Sequence, residues 1–226
     1  MIYMSLNKTK RYLEKTVEHE KRQWNAIFGA KLRGVSSKPK FSTFWDEDYY
    51  RQIKNYLEPI ILKYNYSRML EAGGGSGRAS IILNKKLNKT LLDISPKALQ
   101  YAKHIAKKFR AKNIRYIKGN IFDIPFKNET FNFVWNIGVV EHYEVRDLRL
   151  ILSEMVRVAK RNGIVAIGVP NFYSGPTIKA LILKYLPQKF FSGYRLDTEH
   201  FHDKETLQAL LANIAKGDGK GVEWIK

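Results

Sequence analysis

The sequence predicts an α/β protein: a doubly wound, mostly parallel sheet, preceded by N-terminal helices and finished by a shortened C-terminal end. Three observations carry this expectation. Short apolar runs alternate with helix-forming segments across residues 67–170, the pattern of strands joined by crossover helices. The first run ends in Gly73-Gly74-Gly75-Ser76-Gly77, where a strand can turn sharply into a helix. The second run ends in Asp93, about 20 residues beyond Glu71, where doubly wound folds place an acid that holds ribose hydroxyls.

The elements follow in order. Residues 1–66 predict a helical extension or lid. Lys8–Phe28 is rich in helix formers, with Tyr12, Leu13, Val17, Trp24 and Phe28 on a ragged helical period. Gly29–Lys40, with Gly34, Ser36, Ser37 and Pro39, predicts a loop. Asp46–Tyr64 predicts a second helix that Pro59 should kink or split. In the α/β core, residues 67–170, strands are expected at Arg68–Ala72, Thr90–Ile94, Ile114–Ile117, Phe131–Ile137 and Gly163–Val169. Helices are expected at Ala79–Leu87, from Ser95-Pro96 to about Phe109, and at Asp147–Ala159. Ser95 before Pro96 is favoured chemistry for a cap and first turn. Residues 171–226 predict lid helices at Thr177–Leu186 and Lys204–Ala215, a glycine turn at Gly217, Gly219 and Gly221, and a short last strand at Val222–Ile225. That leaves room for about one closing strand, so an open sheet edge could be covered by a second copy in a homodimer.

Composition bounds the chemistry. The 226 residues suit a single domain with extensions, and 44% hydrophobic with 27% charged residues is ordinary for a globular chain. There is no cysteine, which excludes disulfides, thiolate metal sites and a cysteine nucleophile, and fits a cytoplasmic protein. No apolar run reaches the roughly 18–20 residues of a membrane span, and the N-terminus lacks an apolar signal core. The net charge of +19 favours anionic partners. Lys97, Lys103, Lys107, Lys108, Arg110, Lys112, Arg115 and Lys118 follow one another with no acid between them. They form either a solvated helix face or a footprint for a polyanion such as RNA.

Around Met69-Leu70-Glu71-Ala72-Gly73-Gly74-Gly75-Ser76-Gly77-Arg78, a buried strand should run into a turn that opens a helix, whose free N–H groups could bind a polar or anionic group. A carboxylate at Asp93 suits a cis-diol because it accepts from both hydroxyls; otherwise it is a plain helix cap. A dinucleotide-binding GxGxxG would need glycine or alanine at position 78, which is arginine. This pattern resembles the class I, Rossmann-like S-adenosylmethionine-dependent methyltransferases, in the branch of ubiquinone, menaquinone and other small-molecule enzymes. Further stretches resemble that family in order: Gly119-Asn120-Ile121-Phe122-Asp123-Ile124-Pro125-Phe126, Phe131-Asn132-Phe133-Val134, Gly138-Val139-Val140-Glu141-His142, and Leu152 to Gly163.

The resemblance implies S-adenosylmethionine as cofactor and S-adenosylhomocysteine as product. It implies that Glu71, Gly73, Gly75 and Gly77 meet the methionine part, that Asp93 and Ile94 meet the ribose side, that Asn120 and Ile121 meet adenine, and that Asn136 belongs to the same set. Asn120 and Asn132 stand where the family usually has aspartate; Asn132 is read as structural. His142 is the candidate general base, or a structural cap of its loop. His200 and His202 are candidates for substrate contact, or helix-start structure. His142, Glu199, His200 and His202 match no zinc spacing, so no metal is expected. Phe41, Phe44, Trp45, Tyr49 and Tyr50, and Phe172, Tyr173, Phe190, Phe191, Tyr194 and Arg195, are aromatic-rich lid candidates for a flat acceptor. The functions in competition are methylation of a small molecule at O, C or N, methylation of RNA or protein, and a non-catalytic cofactor-binding or assembly role.

Overall fold

The structure is a computed structural model and describes residues 6–34, 44–169, 202–218 and 220. Five parallel strands form one sheet in the order β3-β2-β1-β4-β5. They are β1 (Arg68–Ala72), β2 (Asn88–Asp93), β3 (Ile114–Lys118), β4 (Phe131–Ile137) and β5 (Ala159–Gly168). Because β4 pairs with β1 rather than β3, the strand order reverses between them, and a crevice opens there at the carboxyl ends of the strands.

Helices cover both faces. α1 (Leu6–Gly34), α2 (Phe44–Lys63), α3 (Arg78–Ile81) and α4 (Pro96–Lys108) lie on one side, and α5 (Val145–Val158) and α6 (Lys204–Gly217) on the other. The strand period of two divides the core accordingly. Met69, Phe133 and Trp135 pack with Leu57 and Ile61 of α2, and Leu91 packs with Leu99 and Ala102 of α4. Leu70, Leu92 and Val134 pack on the other face against Leu148, Leu152 and Met155 of α5. α4 begins as the sequence predicts: the Ser95 hydroxyl accepts from Ala98 N at 3.1 Å and Pro96 occupies the first turn.

Several expectations are corrected. The loop expected at Gly29–Lys40 is helix as far as Gly34; Ala30, Lys31 and Leu32 are good helix formers, and they carry α1 past Gly29 at the usual cost of about 1 kcal/mol for a helical glycine. Pro59 lies inside α2 without ending it. The helix expected at Ala79–Leu87 stops at Ile81, because Asn84 turns the chain: its side chain accepts from Lys86 N and its carbonyl from Leu87 N. β5 starts at Ala159 rather than Gly163, through an irregular register against Phe131 and Phe133. Gly163 fits there because a Cβ would lie 2.7 Å from the Asn132 carbonyl oxygen. The helix expected at Thr177–Leu186 and the strand at Val222–Ile225 lie outside the described residues. No described helix is long and apolar enough to cross a membrane.

Candidate functional site

A cavity of about 360 Å³ occupies the crevice at the carboxyl ends of β1, β2 and β4. Its floor is the β1–α3 turn. Gly73 (φ +78°) has a left-handed backbone, and a Cβ there would lie 2.7 Å from Val139 Cγ2. Gly75 lines the cavity beneath Phe28. Gly77 (φ +62°) does not line it; a Cβ there would lie 2.4 Å from Leu91 Cδ1, so its role is packing of the turn on β2.

The loop's hydrogen bonds run inward. Gly73 N and Gly74 N donate to the Leu92 carbonyl, Gly75 N to Asp93 Oδ2, and Gly77 N to the Gly74 carbonyl. These four N–H groups are spent on internal bonds, so any N–H groups that meet a ligand here are those of Ser76 and of the helix start that follows.

Asp93 ends β2 and lines the cavity while 8% exposed. One carboxylate oxygen takes Gly75 N at 2.7 Å and the other takes Ser95 N at 2.8 Å, so the side chain ties the glycine turn to the start of α4. Burial pushes its carboxyl above the usual range, and the two backbone bonds oppose that. Glu71 ends β1, 3% exposed. Desolvation lifts its carboxyl to about 8, against a hydrogen bond from the Ser80 hydroxyl, with the Asp93 charge adding to the rise. Its Oε2 has no hydrogen-bond partner among the described residues, although the residue lines the cavity. Such an atom is costly unless a ligand completes it.

Ile94, Asn120, Ile121 and His142 also line the cavity. The Asn120 side-chain oxygen accepts from Phe122 N at 3.0 Å, a local turn bond that fixes the amide orientation. Asn136 is a correction: it does not line the cavity. Strand alternation turns it to the α5 face, fully buried, with its amide nitrogen 3.4 Å from Met155 Sδ. Asn132 is structural, since its oxygen accepts from Arg68 N and the Ser67 hydroxyl.

The roof comes from α1 and α2, through Trp24 and Phe28 and through Tyr49 and Tyr50. α1 is pinned at two points. Asn25 accepts from the Ser95 hydroxyl at 2.7 Å, and the Tyr12 hydroxyl donates to buried Asp147 at 3.0 Å. The His142 ring stands edge-on to Trp24 at 5.5 Å. His202 reaches the Tyr143 carbonyl at 2.9 Å from its position just before α6, and does not line the cavity. His200 and the aromatic candidates Phe41, Phe172, Tyr173, Phe190, Phe191, Tyr194 and Arg195 lie outside the described residues, as do the side chains of Phe44 and Trp45. Among the described residues no group of three His, Asp or Glu is placed to hold a metal.

Two contributors are barely legible in the sequence. The ragged period of α1 marks Trp24 and Phe28 as apolar without saying what they cover. Arg78 stands out only as the residue that breaks a dinucleotide fingerprint. The basic segment 97–118 sits on α4 and the β3 edge, with Lys103, Lys107, Lys108, Arg110, Lys112, Arg115 and Lys118 exposed.

Residues 65–224 match the model of a family described as a methyltransferase domain. A chloroplastic 2-methyl-6-phytyl-1,4-hydroquinone methyltransferase of Oryza sativa subsp. japonica is 30% identical over 123 residues, covering 53% of this chain and 33% of that protein. The match thus spans about a third of that relative's length. An uncharacterized protein of Methanocaldococcus jannaschii is 30% identical over 157 residues, covering 70% of this chain and 68% of its own. Among solved structures, magnesium protoporphyrin IX methyltransferase of Synechocystis, with bound SAH, matches with a TM-score of 0.65 over 88% of each chain at 16% identity, a likeness of fold.

Proposed function

Because the chain belongs to the class I, Rossmann-like methyltransferase-domain family, we propose that it transfers the methyl group of S-adenosylmethionine to a small-molecule acceptor enclosed beneath α1 and α2. The observation that carries this reading is the pair of buried carboxylates on the cavity wall. Glu71 has an oxygen with no partner among the described residues, and Asp93 sits at the end of β2 beside the glycine turn. These groups fit a ligand that brings an ammonium to Glu71 and hydroxyls to Asp93, each carboxylate oxygen keeping a free lone pair. Ile121, 8% exposed, offers an apolar surface for a base, next to Asn120.

When bound, the donor supplies a sulfonium-activated methyl group. The protein's part is positioning and exclusion of water. Trp24, Phe28, Tyr49 and Tyr50 close the cavity from above and suit a flat, apolar acceptor. The hydroquinone in the rice relative's name is an acceptor of that kind. For a hydroxyl acceptor, His142 is a group on the wall able to take the proton, with its ring edge-on to Trp24. Tyr143 is no rival, since burial holds its phenol above the usual range and keeps it neutral.

Calorimetric titration of S-adenosylmethionine and S-adenosylhomocysteine into the purified protein, with NAD as control, tests this. Micromolar affinity for both sulfur nucleosides and none for NAD is expected, weakened at least about tenfold in Asp93→Ala. Absence of binding to the wild type would overturn the proposal and favour an assembly role for the fold.

A further inference from the structure

Four N–H groups of the glycine turn are bonded inside the protein, and the cavity wall beside that turn also carries cationic side chains. Arg78, the residue after that turn, is on the cavity wall and half-buried. Its guanidinium lies 4.5 Å from the centre of the Tyr50 ring and 6.0 Å from that of Phe109. Such cation–π contacts use none of the five N–H donors of the guanidinium. No acid forms an ion pair with it among the described residues. Of the acids on this wall, Asp93 accepts from Gly75 N and Ser95 N, Glu71 from the Ser80 hydroxyl and Glu20 from Trp24 Nε1. Lys31, over the Phe28 ring at 4.9 Å, adds positive charge to the same wall. A permanently charged, planar fork held against rings on a ligand cavity has the geometry for a carboxylate.

We infer that Arg78 is the anion-recognition residue of this cavity and grips a carboxylate through two of its N–H groups; the inference rests on the methyl-transfer reading above. That carboxylate belongs either to the amino-acid end of the donor or to the acceptor. This places a specificity determinant at position 78, immediately after the glycine turn.

The test measures affinities for S-adenosylhomocysteine, which has the carboxylate, and 5′-methylthioadenosine, which lacks it, in wild type, Arg78→Met and Arg78→Lys, with benzoate titrated into the S-adenosylhomocysteine-saturated proteins. Arg78→Met keeps the stem against Tyr50, and an unchanged melting temperature shows that its fold is intact. If the donor's carboxylate is held, S-adenosylhomocysteine weakens at least about tenfold in Arg78→Met, less in Arg78→Lys, and 5′-methylthioadenosine is unaffected. If the acceptor's carboxylate is held, both nucleosides bind all three proteins alike and benzoate binds only where Arg78 is present. Equal nucleoside affinities with no Arg78-dependent benzoate binding overturn the inference and leave the methyl-transfer reading standing. A wild type that binds neither nucleoside overturns both.

Discussion

Glu71 shows what one residue's surroundings do to its chemistry. Its carboxyl sits near 8 instead of 4.5 because burial at the end of β1 desolvates it, with the Asp93 charge adding to the rise against the Ser80 hydrogen bond. Below pH 4.5 the group is protonated whether the chain is folded or not, and contributes nothing. Between 4.5 and 8 the folded protein keeps a proton that the unfolded chain has lost, so the stability of the ligand-free protein falls as pH rises; above 8 the whole penalty stands. The melting temperature should therefore drop from pH 5 to pH 8, and Glu71→Gln should flatten that drop. A wild-type profile that is flat or rises over this interval, with no difference in the variant, would show that Glu71 is ionised in the folded state without cost. A bound ammonium would reverse the logic by favouring the carboxylate. Donor binding at pH 7 should then release a proton, detected as a buffer-dependent calorimetric enthalpy in wild type and not in Glu71→Gln.

At the scale of elements, the loop between β3 and β4 is held by one arginine of α5. Arg157 donates to the Ile124 carbonyl at 2.9 Å, to the Phe126 carbonyl at 2.7 Å and to Asn128, and forms a two-point pair with Glu154. Glu154 in turn accepts from Ile124 N at 2.7 Å. This is the loop that brings Asn120 and Ile121 to the cavity. Arg157→Ala should cost about 2–3 kcal/mol in chemical denaturation, since it strands two carbonyls and a half-buried carboxylate. Arg157→Lys should recover little, having no planar fork. A loss below about 0.5 kcal/mol would mean that the loop holds itself. The same C-terminal end of α5 is also tied down by Lys220, whose Nζ donates to the Val156 and Ala159 carbonyls at 2.6 and 2.8 Å.

For the whole molecule, the balance of +19 and the basic α4–β3 edge predict salt-sensitive attraction to polyanions. A short single-stranded RNA should be retained at low salt and released by about 0.3 M, with its affinity falling in proportion to the phosphates contacted. The edge lies on β3, at the far side of the sheet from β4 and β5, whereas the cavity opens at the strand ends. RNA should therefore leave the affinity for S-adenosylhomocysteine unchanged. Strong coupling between the two would instead make RNA the acceptor, and would displace the small-molecule proposal.

The alternating pattern, the glycine turn and the acid at the end of β2 were enough to specify a doubly wound parallel sheet, because each is a local demand of backbone geometry and periodicity. Ser95-Pro96 set the start of α4 for the same reason. Some element ends turned on competing local signals: α1 runs past Gly29 on the helix formers that follow it, and α3 stops at Ile81 because Asn84 turns the chain. Other features depend on distant partners. Asn136 and Glu71 both look like polar residues at strand ends. Only the pairing of β1 with β4, and the parity of their pleats, sends Glu71 to the cavity face and Asn136 to the α5 face. The roof of α1, the spent N–H groups of the glycine turn and the stacking of Arg78 on Tyr50 are tertiary facts as well. Each depends on residues far apart in the chain, and composition and spacing carry no record of which side chains meet across such distances.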